Sequence, residues 1–503
     1  MPRPVAPSAS ANLAVILENR ARAGGWAGRP AFHDGPGRVW THAEVHSGGH
    51  RAARFLSEAG VRPGDRVMLS AADRVELVWA LLGAARLGAL AILVNPRLPA
   101  IDHQVMVDDA APTLVVSDAH LAERFQAAAP TVTMGELSDL APCAFPATKV
   151  APASPAYAQY TSGTTGTPKA AVHRHSDPAC YHAAMSAPVL GLQPDDVLLS
   201  VSKAYFAYGL GNTIIFPLFS GCSAVLDPLK PTTGQVGALV ERHAVTILFA
   251  VPSFYAGLVS EGDRSRFGSV RLAISAGETL QPALYHRVGS WLGREILDGL
   301  GSTEVGQTFI SNTPGCSRPA SIGMALPGYQ VSIRDEQGAP LPSGKPGALW
   351  VKGDSVTLGY LNRPDETAKV IVGGWCRTGD RVSIDDDGYY HHYGRLDDLE
   401  IVGGNNVWPL EVEAVLLEHQ AVVEVAVVAV ADPNGAYRLR CFAALAPGTR
   451  WSASLEAEIL DVARSRLAPY KVPRSITEVD SLPRTPTGKL RRHVLRAGWP
   501  PGG

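Results

Sequence analysis

The chain has 503 residues, of which 46% are hydrophobic and 18% are charged, and its net charge is −2. This length is too great for one hydrophobic core and predicts two or more domains. A nearly neutral chain has no general attraction for nucleic acid or for an anionic membrane, so we expect neither as a partner.

The six cysteines are scattered, without a CxxC pair and without cysteine or histidine at zinc-ligand spacing. We interpret them as reduced thiols of a cytoplasmic protein: Cys143, Cys180, Cys222, Cys316, Cys376 and Cys441. The first twenty residues contain no apolar segment of the length a secretory signal needs. The most apolar stretch, 77–94, contains Arg86 and two glycines, which favours a buried helix running into a strand over a membrane span.

Apolar runs that end in small or polar residues alternate with helical patterns from about residue 60 onward. We predict a helix at 74–88 and buried strands at 65–70, 90–95, 112–118, 245–252, 270–278 and 294–304. Such alternation is typical of βα units with largely parallel sheets. The predicted fold is therefore α/β, a large N-terminal domain of parallel or mixed sheets flanked by helices, with ligands bound at the carboxyl ends of the strands.

The composition changes to a turn-rich, charged stretch at 373–405. A predicted helix at 410–419 and a predicted strand at 422–432 follow it. This order predicts a second, smaller C-terminal domain with an α+β core of its own, after a β-rich part of the large one. We place the two domains at 1–394 and 395–503.

Residues 160–169 read YTSGTTGTPK, a run of hydroxyls and glycines that ends in a lysine. Such loops bind phosphates through backbone N–H groups and a cationic side chain. The stretch is not a P-loop, because Pro168 precedes Lys169 and Ala170 stands where a P-loop needs a hydroxyl. Phosphate binding and a polar surface turn are the two interpretations of this stretch alone.

Five further motifs follow in a fixed order: SAGE (275–278), DGLGSTE (298–304), RTGD (377–380), GRLDD (394–398) and PRTPTGKLRR (483–492). Together with the opening stretch they resemble the adenylate-forming enzymes, which include acyl-CoA synthetases, adenylation domains and luciferases. The six motifs cover most of the chain. The resemblance implies a reaction in which a carboxylate attacks ATP to form an acyl-adenylate, which a thiol then intercepts.

The resemblance implies the residues of the ATP site. Lys489 would bridge the carboxylate and the α-phosphate, Thr303 would contact the α-phosphate, and Glu304 would bind Mg²⁺ with help from Thr164. The residues implied for ATP binding are Thr161, Ser162, Gly163, Thr164, Thr165, Gly166, Lys169, Gly277, Glu278, Asp298, Gly299, Asp380 and Arg395. Among these, Asp380 would accept hydrogen bonds from the ribose hydroxyls.

The resemblance also implies a domain movement between the two half-reactions. Asp397 falls at the family's hinge, where rotation of the small domain would remove Lys489 from the site. The same rotation would bring Gly403 and Gly404 toward the incoming thiol of coenzyme A. This chain has Glu400 where many relatives have lysine, a charge reversal beside the hinge.

The stretch 203–218 resembles the benzoate–CoA ligase branch. Phe206 would act as an aromatic gate to a flat acyl pocket, which suits a planar aryl acid and blocks a long chain. The residues implied for this pocket are Ala207, Tyr208, Gly209, Ala276 and Gly301. Benzoate ligases tend to have His-Ile where this chain has Gln307 and Thr308, so we expect a ring hydroxyl or amino group to be hydrogen-bonded there.

The leading expectation is an ATP-dependent aryl-acid–CoA ligase that uses Mg²⁺ and releases AMP and pyrophosphate. The alternative is a stand-alone aryl-acid adenylation enzyme that loads the phosphopantetheine arm of a carrier protein. The first half-reaction is the same in both, so only the thiol acceptor separates them.

Overall fold

The computed structural model describes residues 11–35, 37–138, 140–161, 168–229, 231–432, 437–484 and 490–498. The strands, numbered in chain order, are β1 Pro30–Asp34, β2 Arg38–Thr41, β3 Arg66–Ser70, β4 Leu90–Leu93, β5 Leu114–Ser117, β6 Thr131–Thr133, β7 Pro155–Thr161, β8 Lys169–Arg174, β9 Val197–Ser200, β10 Ser223–Leu226, β11 Ile247–Ala250, β12 Leu272–Ser275, β13 Ile296–Gly301, β14 Thr308–Ser311, β15 Met324–Ala325, β16 Gln330–Arg334, β17 Gly347–Lys352, β18 Gly359–Tyr360, β19 Ile371–Val372, β20 Trp375–Ile384, β21 Tyr390–Arg395, β22 Glu400–Val402, β23 Asn405–Val407, β24 Val422–Ala431, β25 Tyr437–Leu445 and β26 Ser475–Glu478.

The helices of the same described ranges are α1 Leu13–Ala23, α2 His42–Glu58, α3 Val75–Leu87, α4 Ala100–Ala110, α5 Ala122–Gln126, α6 Asp177–Met185, α7 Ala207–Leu210, α8 Phe216–Ser220, α9 Thr233–His243, α10 Pro252–Glu261, α11 Pro282–Leu292, α12 Pro364–Val370, α13 Pro409–Leu416, α14 Ala453–Arg466 and α15 Arg492–Arg496. Two short 3-10 turns matter below, Thr303–Val305 and Leu396–Asp398, and a π turn, Gly211–Ile215, follows α7.

Two large sheets form the N-terminal part. One has the strand order β15-β14-β13-β12-β11-β9-β10-β1-β2, and it is parallel from β13 to β1. The other has the order β18-β8-β7-β4-β3-β5-β6, parallel from β7 to β6. Buried parallel strands are apolar on both faces, which explains why the sequence shows them as continuous apolar runs.

One hydrophobic cluster joins these two sheets. It contains Phe32 and Phe249 of the first sheet, Val67 of the second, and the apolar residues of α3. All but one of the thirteen residues of α3 are buried, and Gly88 ends the helix in the left-handed conformation, with φ 72°. The apolar stretch 77–94 is thus a buried helix running into β4, as expected. No helix within the described ranges is long and apolar enough to cross a membrane.

A smaller antiparallel sheet, β16-β17-β20-β19 with β21 beside β20, is the β-rich part of the chain. The chain then forms the hairpin β22-β23 and the three-stranded sheet β24-β25-β26 with helices α13, α14 and α15. Residues from Val402 to Ile476 have a hydrophobic cluster of their own. The α/β class, with mixed sheets in the large N-terminal part and a β-rich region, is confirmed.

Candidate active site

A cavity of about 590 Å³ lies where the motifs meet. Its walls include residues from the carboxyl ends of β12 and β13, from the β20–β21 hairpin and from the C-terminal part of the chain. The predicted site residues on its walls are Thr161, Lys169, Gly277, Glu278, Gly299, Gly301, Thr303, Glu304, Asp380 and Arg395. Pockets of this size bind nucleotides and small organic ligands.

Two loops that would carry the phosphate chemistry lie outside the described residues. They include the predicted Ser162, Gly163, Thr164, Thr165 and Gly166, and the predicted Lys489. The bases of both loops are described. Thr161 pairs with Lys169 across the β7–β8 hairpin, and Arg484 forms an antiparallel bridge with Leu490. All four of these flanking residues line the cavity, so both loops start and end at its wall.

The side chain of Lys169 has a carboxylate partner that the sequence does not indicate. Its Nζ donates to Oε2 of Glu366 at 2.6 Å, and Glu366 also pairs with Lys369 at 3.4 Å. Lys169 further lies over the ring of Tyr360, with Nζ 5.6 Å from its centroid. Glu366 and Tyr360 are 197 and 191 positions from Lys169. The sequence around Lys169 therefore could not predict these contacts.

Glu304 extends from the 3-10 turn Thr303–Val305 into the same end of the cavity. Its Oε1 accepts a hydrogen bond of 2.7 Å from the hydroxyl of Tyr360. The described residues contain no group of three or more histidine, cysteine, aspartate or glutamate side chains that could hold a metal ion. A site with one carboxylate suits Mg²⁺ that completes its coordination with phosphate oxygens and water.

Asp380 is a further acidic residue that lines the cavity. It pairs with Arg395 across β20 and β21, and His392 Nε2 lies 3.2 Å from its Oδ1. Burial alone would raise the pKa of Asp380, but the charge of Arg395 and the hydrogen bond from His392 outweigh it and lower the pKa below its usual range. Asp380 is therefore an ionised acceptor at neutral pH. His392 also reaches Thr279 Oγ1 through Nδ1, at 2.7 Å.

The segments expected beside adenine lie at the ends of β12 and β13. Gly277 has φ 90°, which favours glycine, and a Cβ on Gly299 would lie 2.9 Å from the carbonyl oxygen of Ile310. Asp298 is buried beneath this wall, only 4% exposed, and does not line the cavity. Burial raises the pKa of Asp298 to about 8, so its carboxyl group is neutral at pH 7.

Glu278 connects this wall to the C-terminal part of the chain. It accepts from Ser253 Oγ at 3.1 Å and from Arg484 Nη1 at 2.6 Å, and Arg484 also bonds Glu424 of β24 at 3.2 Å. This ion pair joins Arg484, the last described residue before position 485, to the wall that contains Glu278.

Most of the residues predicted for the acyl pocket are buried or partly buried and do not line this cavity. Phe206 and Tyr208 are partly buried, whereas Ala207, Gly209 and Ala276 are buried. Of the predicted acyl residues only Gly301 lines the cavity as described.

Gln307 and Thr308 are 2% and 1% exposed, and they bond to the chain itself. The Gln307 amide donates to the carbonyl of Tyr208 and to Oδ1 of Asn212, each at 3.2 Å, and its oxygen accepts from the N–H and the hydroxyl of Thr308. Asn212 accepts from Gln307 through its Oδ1, and its side chain also interacts with the hydroxyl of Tyr208. Sequence reasoning missed Asn212 because it lies in a π turn, Gly211–Ile215, that the sequence does not indicate.

The expected hinge residue Asp397 is exposed and lies in the turn Leu396–Asp398, 3.5 Å from Arg395 Nε. Gly403 and Gly404 are exposed at the tip of the β22–β23 hairpin. Glu400, the charge reversal, is 9% exposed in its side chain and accepts from Arg496 Nη2 at 2.6 Å and Nε at 3.0 Å. Arg496 of α15 thus neutralises the negative charge of Glu400.

A cavity at the carboxyl ends of parallel strands, lined by Asp380, Glu304 and Lys169, is the kind of site at which enzymes of the α/β class bind nucleotides. A family model described as AMP-binding enzyme matches residues 19–361, and its companion, the AMP-binding enzyme C-terminal domain, matches residues 411–489. The chain belongs to the AMP-binding enzyme family, the adenylate-forming ligases.

Relatives over nearly the whole chain support this membership. The p-hydroxybenzoic acid–AMP ligase FadD22 of Mycobacterium tuberculosis is 41% identical over 97% of this chain and 69% of its own length. The benzoate–CoA ligase of Thauera aromatica is 36% identical over 97% of this chain and 96% of its own. The crystal structure of the anthranilate CoA ligase AuaEII with anthranoyl-AMP has a TM-score of 0.91 at 31% identity, over 98% of each chain. The expected resemblance to the benzoate–CoA ligase branch is confirmed.

Proposed function

We propose that this ligase activates an aromatic carboxylic acid with ATP and transfers the aryl group to a thiol, with coenzyme A as the acceptor. The observation that carries the proposal is the convergence at one cavity. Glu304, Asp380 and the bases of the loops 162–167 and 485–489 all line it. The relatives above are named for p-hydroxybenzoic acid, benzoate and anthranilate, all of them aryl acids.

In the first half-reaction an oxygen of the carboxylate attacks the α-phosphorus of ATP. The bond from that phosphorus to the oxygen that bridges it to the β-phosphorus breaks, and pyrophosphate leaves. The residues that would neutralise the developing charge are Lys489, Thr303 and, through Mg²⁺, Glu304 and Thr164. The loop 162–167 with Lys169 would hold the β- and γ-phosphates through N–H groups, hydroxyls and the ammonium group.

In the second half-reaction the thiolate attacks the carbonyl carbon of the aryl-adenylate. The bond between that carbon and the phosphate oxygen breaks, AMP leaves, and the thiol proton passes to solvent. We assign residues 1–394 to the adenylation core and 395–503 to a lid that rotates at Asp397 between the two steps. Gly403 and Gly404, exposed at a hairpin tip, would then face the thiol.

We further propose a ring that carries a hydroxyl or amino group. Two of the three relatives named above act, by their names, on a hydroxy- or aminobenzoate. In this chain the amide of Gln307 is bonded within the protein, so its part in substrate choice stays a prediction. Asn212, which is buried beside Gln307, is a second polar group of this cluster that could contribute to the choice of ring substituent.

A substrate panel tests the proposal. ATP–pyrophosphate exchange is measured with benzoate, the three hydroxybenzoates, 2-aminobenzoate and, as controls, acetate and octanoate. We expect exchange with the aryl acids only and the highest kcat/KM for a hydroxy- or aminobenzoate. A higher kcat/KM for benzoate would refute the proposal that the ring carries a hydroxyl or amino group. Exchange with octanoate alone would refute the proposal that the substrate is an aryl acid.

The second candidate acceptor is a carrier protein. It is favoured by the 41% identity to FadD22, which is named as an AMP ligase and not as a CoA ligase. The acceptors are separated by supplying either coenzyme A or a purified carrier protein with its phosphopantetheine arm to the enzyme, ATP and the best acid. We expect aryl-CoA. Aryl transfer to the carrier with no aryl-CoA would favour the second candidate. A cytoplasmic location likewise stays a prediction.

A further inference from the structure

A buried histidine lies directly beneath the turn that carries Thr303 and Glu304. His173 of β8 and Asp177 of α6 both have side chains that are 0% exposed, and His173 Nδ1 is 3.0 Å from Asp177 Oδ2. The other ring nitrogen, Nε2, is 2.7 Å from the backbone carbonyl oxygen of Thr303. His173 does not line the cavity, so it has no contact with a ligand there.

Both partners of this ring accept hydrogen bonds. The carbonyl oxygen of Thr303 has no proton to donate, so Nε2 must carry one. Oδ2 of Asp177 also accepts from the backbone N–H of Arg174 at 3.0 Å, and the guanidinium of Arg174 is 3.4 Å from Oδ1. Asp177 therefore holds the ring at Nδ1 while Nε2–H faces the carbonyl oxygen of Thr303.

The surrounding ionisable groups do not supply another proton donor to this pair. Tyr157 of β7 stacks on His173, with ring centroids 5.1 Å apart, and its hydroxyl is 3.5 Å from that of Tyr181. Burial raises the pKa of both tyrosines and that of Cys180 on α6, so all three stay neutral. Arg174 is engaged by Asp177 and, at 2.6 Å, by the carbonyl of Val356.

The turn is fixed at each of its three carbonyl oxygens. Thr303 is held by His173, Glu304 by the N–H of Thr357 at 2.7 Å, and Val305 by the hydroxyl of Ser355 at 2.8 Å. Only the first of these bonds comes from a side chain that is itself held by a buried carboxyl group, that of Asp177.

We propose that His173, held in place by Asp177, is a positioning residue that sets the Thr303–Glu304 turn for adenylate formation. The inference rests on the proposed function, because that function gives Thr303 and Glu304 their roles toward the α-phosphate and Mg²⁺. A turn fixed in advance costs no reorganisation when charge develops on the phosphate. Loss of this bond would therefore lower kcat of adenylate formation and leave the KM for the aryl acid nearly unchanged.

His175 offers a matched control two residues further along the chain. It is also buried, but its Nδ1 accepts from the backbone N–H of Leu13 at 3.1 Å, and burial lowers its pKa to about 4. It is therefore a neutral ring that touches no part of the turn in the hydrogen bonds described.

The first measurement reads the protonation of the rings in the full-length protein labelled with ¹⁵N-histidine. Signals are assigned by their loss in His173→Gln and His175→Gln. We expect a proton on Nε2 of His173, the nitrogen that faces the Thr303 carbonyl, and one protonated ring nitrogen in His175 at pH 7. An unprotonated Nε2 in His173 would overturn the hydrogen bond to Thr303, whether or not the enzyme is active.

The second measurement is ATP–pyrophosphate exchange of the wild type, His173→Gln, His173→Ala, Asp177→Asn and His175→Gln, each checked for cooperative thermal unfolding. We expect kcat about 2–10-fold lower in His173→Ala, typical of one lost hydrogen bond. Partial recovery is expected in His173→Gln, whose amide can still donate to Thr303, and near wild-type kcat in His175→Gln. Equal losses in all variants, or a change confined to the KM of the acid, would overturn the positioning role. Absence of exchange in the wild type would instead refute the proposed function.

Discussion

Asp380 and Arg395 are cross-strand partners in the antiparallel pair β20–β21, and Nη1 of Arg395 lies 3.4 Å from Oδ1 of Asp380. The sheet register itself therefore places a positive charge beside the carboxylate before any nucleotide binds. Arg395 Nη1 also donates to the carbonyl of Thr378 at 2.6 Å, which holds the guanidinium in place. An ionised, oriented acceptor of this kind suits a pair of ribose hydroxyls.

Replacing this acceptor tests its role. Asp380→Asn keeps the shape but removes the charge and half of the accepting capacity. Hydrogen bonds to charged groups contribute about 1.5–3 kcal/mol, so we expect kcat/KM for ATP to fall about 10–150-fold. The KM for the aryl acid should change little. Steady-state exchange kinetics at varied ATP provide the measurement.

Asp385→Asn is the matched control for that variant. Asp385 also has a histidine partner, with His391 Nε2 at 2.9 Å, but it does not line the cavity. We expect its kinetics to match the wild type. Equal effects of the two substitutions would show that Asp380 acts on the stability of the hairpin and not on the nucleotide.

Lys489 is expected to serve only one half-reaction. Lys489→Ala should abolish adenylate formation, because no other cation is proposed to neutralise the attacking carboxylate and the α-phosphate together. It should retain thioester formation from supplied aryl-adenylate and coenzyme A. Both half-reactions are followed separately by exchange and by aryl-CoA release.

The exposed Lys345 provides the control for that experiment, since Lys345→Ala should leave both half-reactions unchanged. Equal loss of both half-reactions in Lys489→Ala would contradict the assignment of Lys489 to the first step.

Asp298 predicts a pH dependence of stability. Its pKa rises from 3.8 in the unfolded chain to about 8 in the fold, because burial disfavours the charged form. The folded protein therefore binds the proton of Asp298 more tightly than the unfolded chain does. The stability that this preference provides is fully present below about pH 4 and is lost as the pH rises to about 8. Relative to the wild type, Asp298→Asn should gain stability over this range by up to about 1.4 kcal/mol per pH unit. Denaturant unfolding at pH 6, 7 and 8 measures the difference.

Asp195, whose side chain is 93% exposed, supplies the comparison. The difference between Asp195→Asn and the wild type should stay constant over the same pH range. A constant difference for Asp298→Asn as well would show that its carboxyl group titrates normally.

The ion pair of Arg492 and Glu413 predicts where the C-terminal part is most sensitive to mutation. Both side chains are buried, at 9% and 5% exposed, and Arg492 Nη1 lies 2.5 Å from Glu413 Oε1. Arg492→Leu leaves Glu413 charged without its partner, which typically costs about 3–5 kcal/mol. Hydrogen exchange of β24 and β25 should report that loss, because the pair lies against β24 through the N–H and the carbonyl of Val427.

Arg464 carries the same charge in an exposed pair with Asp461, at 57% and 69% exposure. Arg464→Leu should change the free energy of unfolding by about 0–1 kcal/mol. A comparable cost for the two arginines would mean that the buried pair is already hydrated in the folded protein.

The sequence predicted the strands well because buried parallel strands are continuous apolar runs. The predicted 65–70 and 245–252 correspond to β3 and β11, and the predicted helix 410–419 corresponds to α13, Pro409–Leu416. The predicted bounds overran where a turn followed, as at 294–304, which contains β13 and part of the turn Thr303–Val305. The hydrophobic pattern of a sequence does not show where a strand ends when small residues follow the apolar run directly.

The side-chain partners in the site could not be predicted in this way. Lys169 and Glu366, or His173 and Thr303, are brought together only by the packing of distant elements. Gln307 shows the same limit: its sequence position indicated a group facing the substrate, yet its amide is bonded to Tyr208, Asn212 and Thr308. Motifs identify which residue types are present, whereas tertiary contacts decide which of their atoms remain free.

The most direct test of the account is a crystal structure with a non-hydrolysable ATP analogue and Mg²⁺. We predict ribose hydroxyls within hydrogen-bond distance of Asp380, the α-phosphate beside Thr303, and the β- and γ-phosphates on residues 162–169. A nucleotide bound elsewhere, or one whose triphosphate points away from that loop, would contradict the central claim that this cavity forms the adenylate.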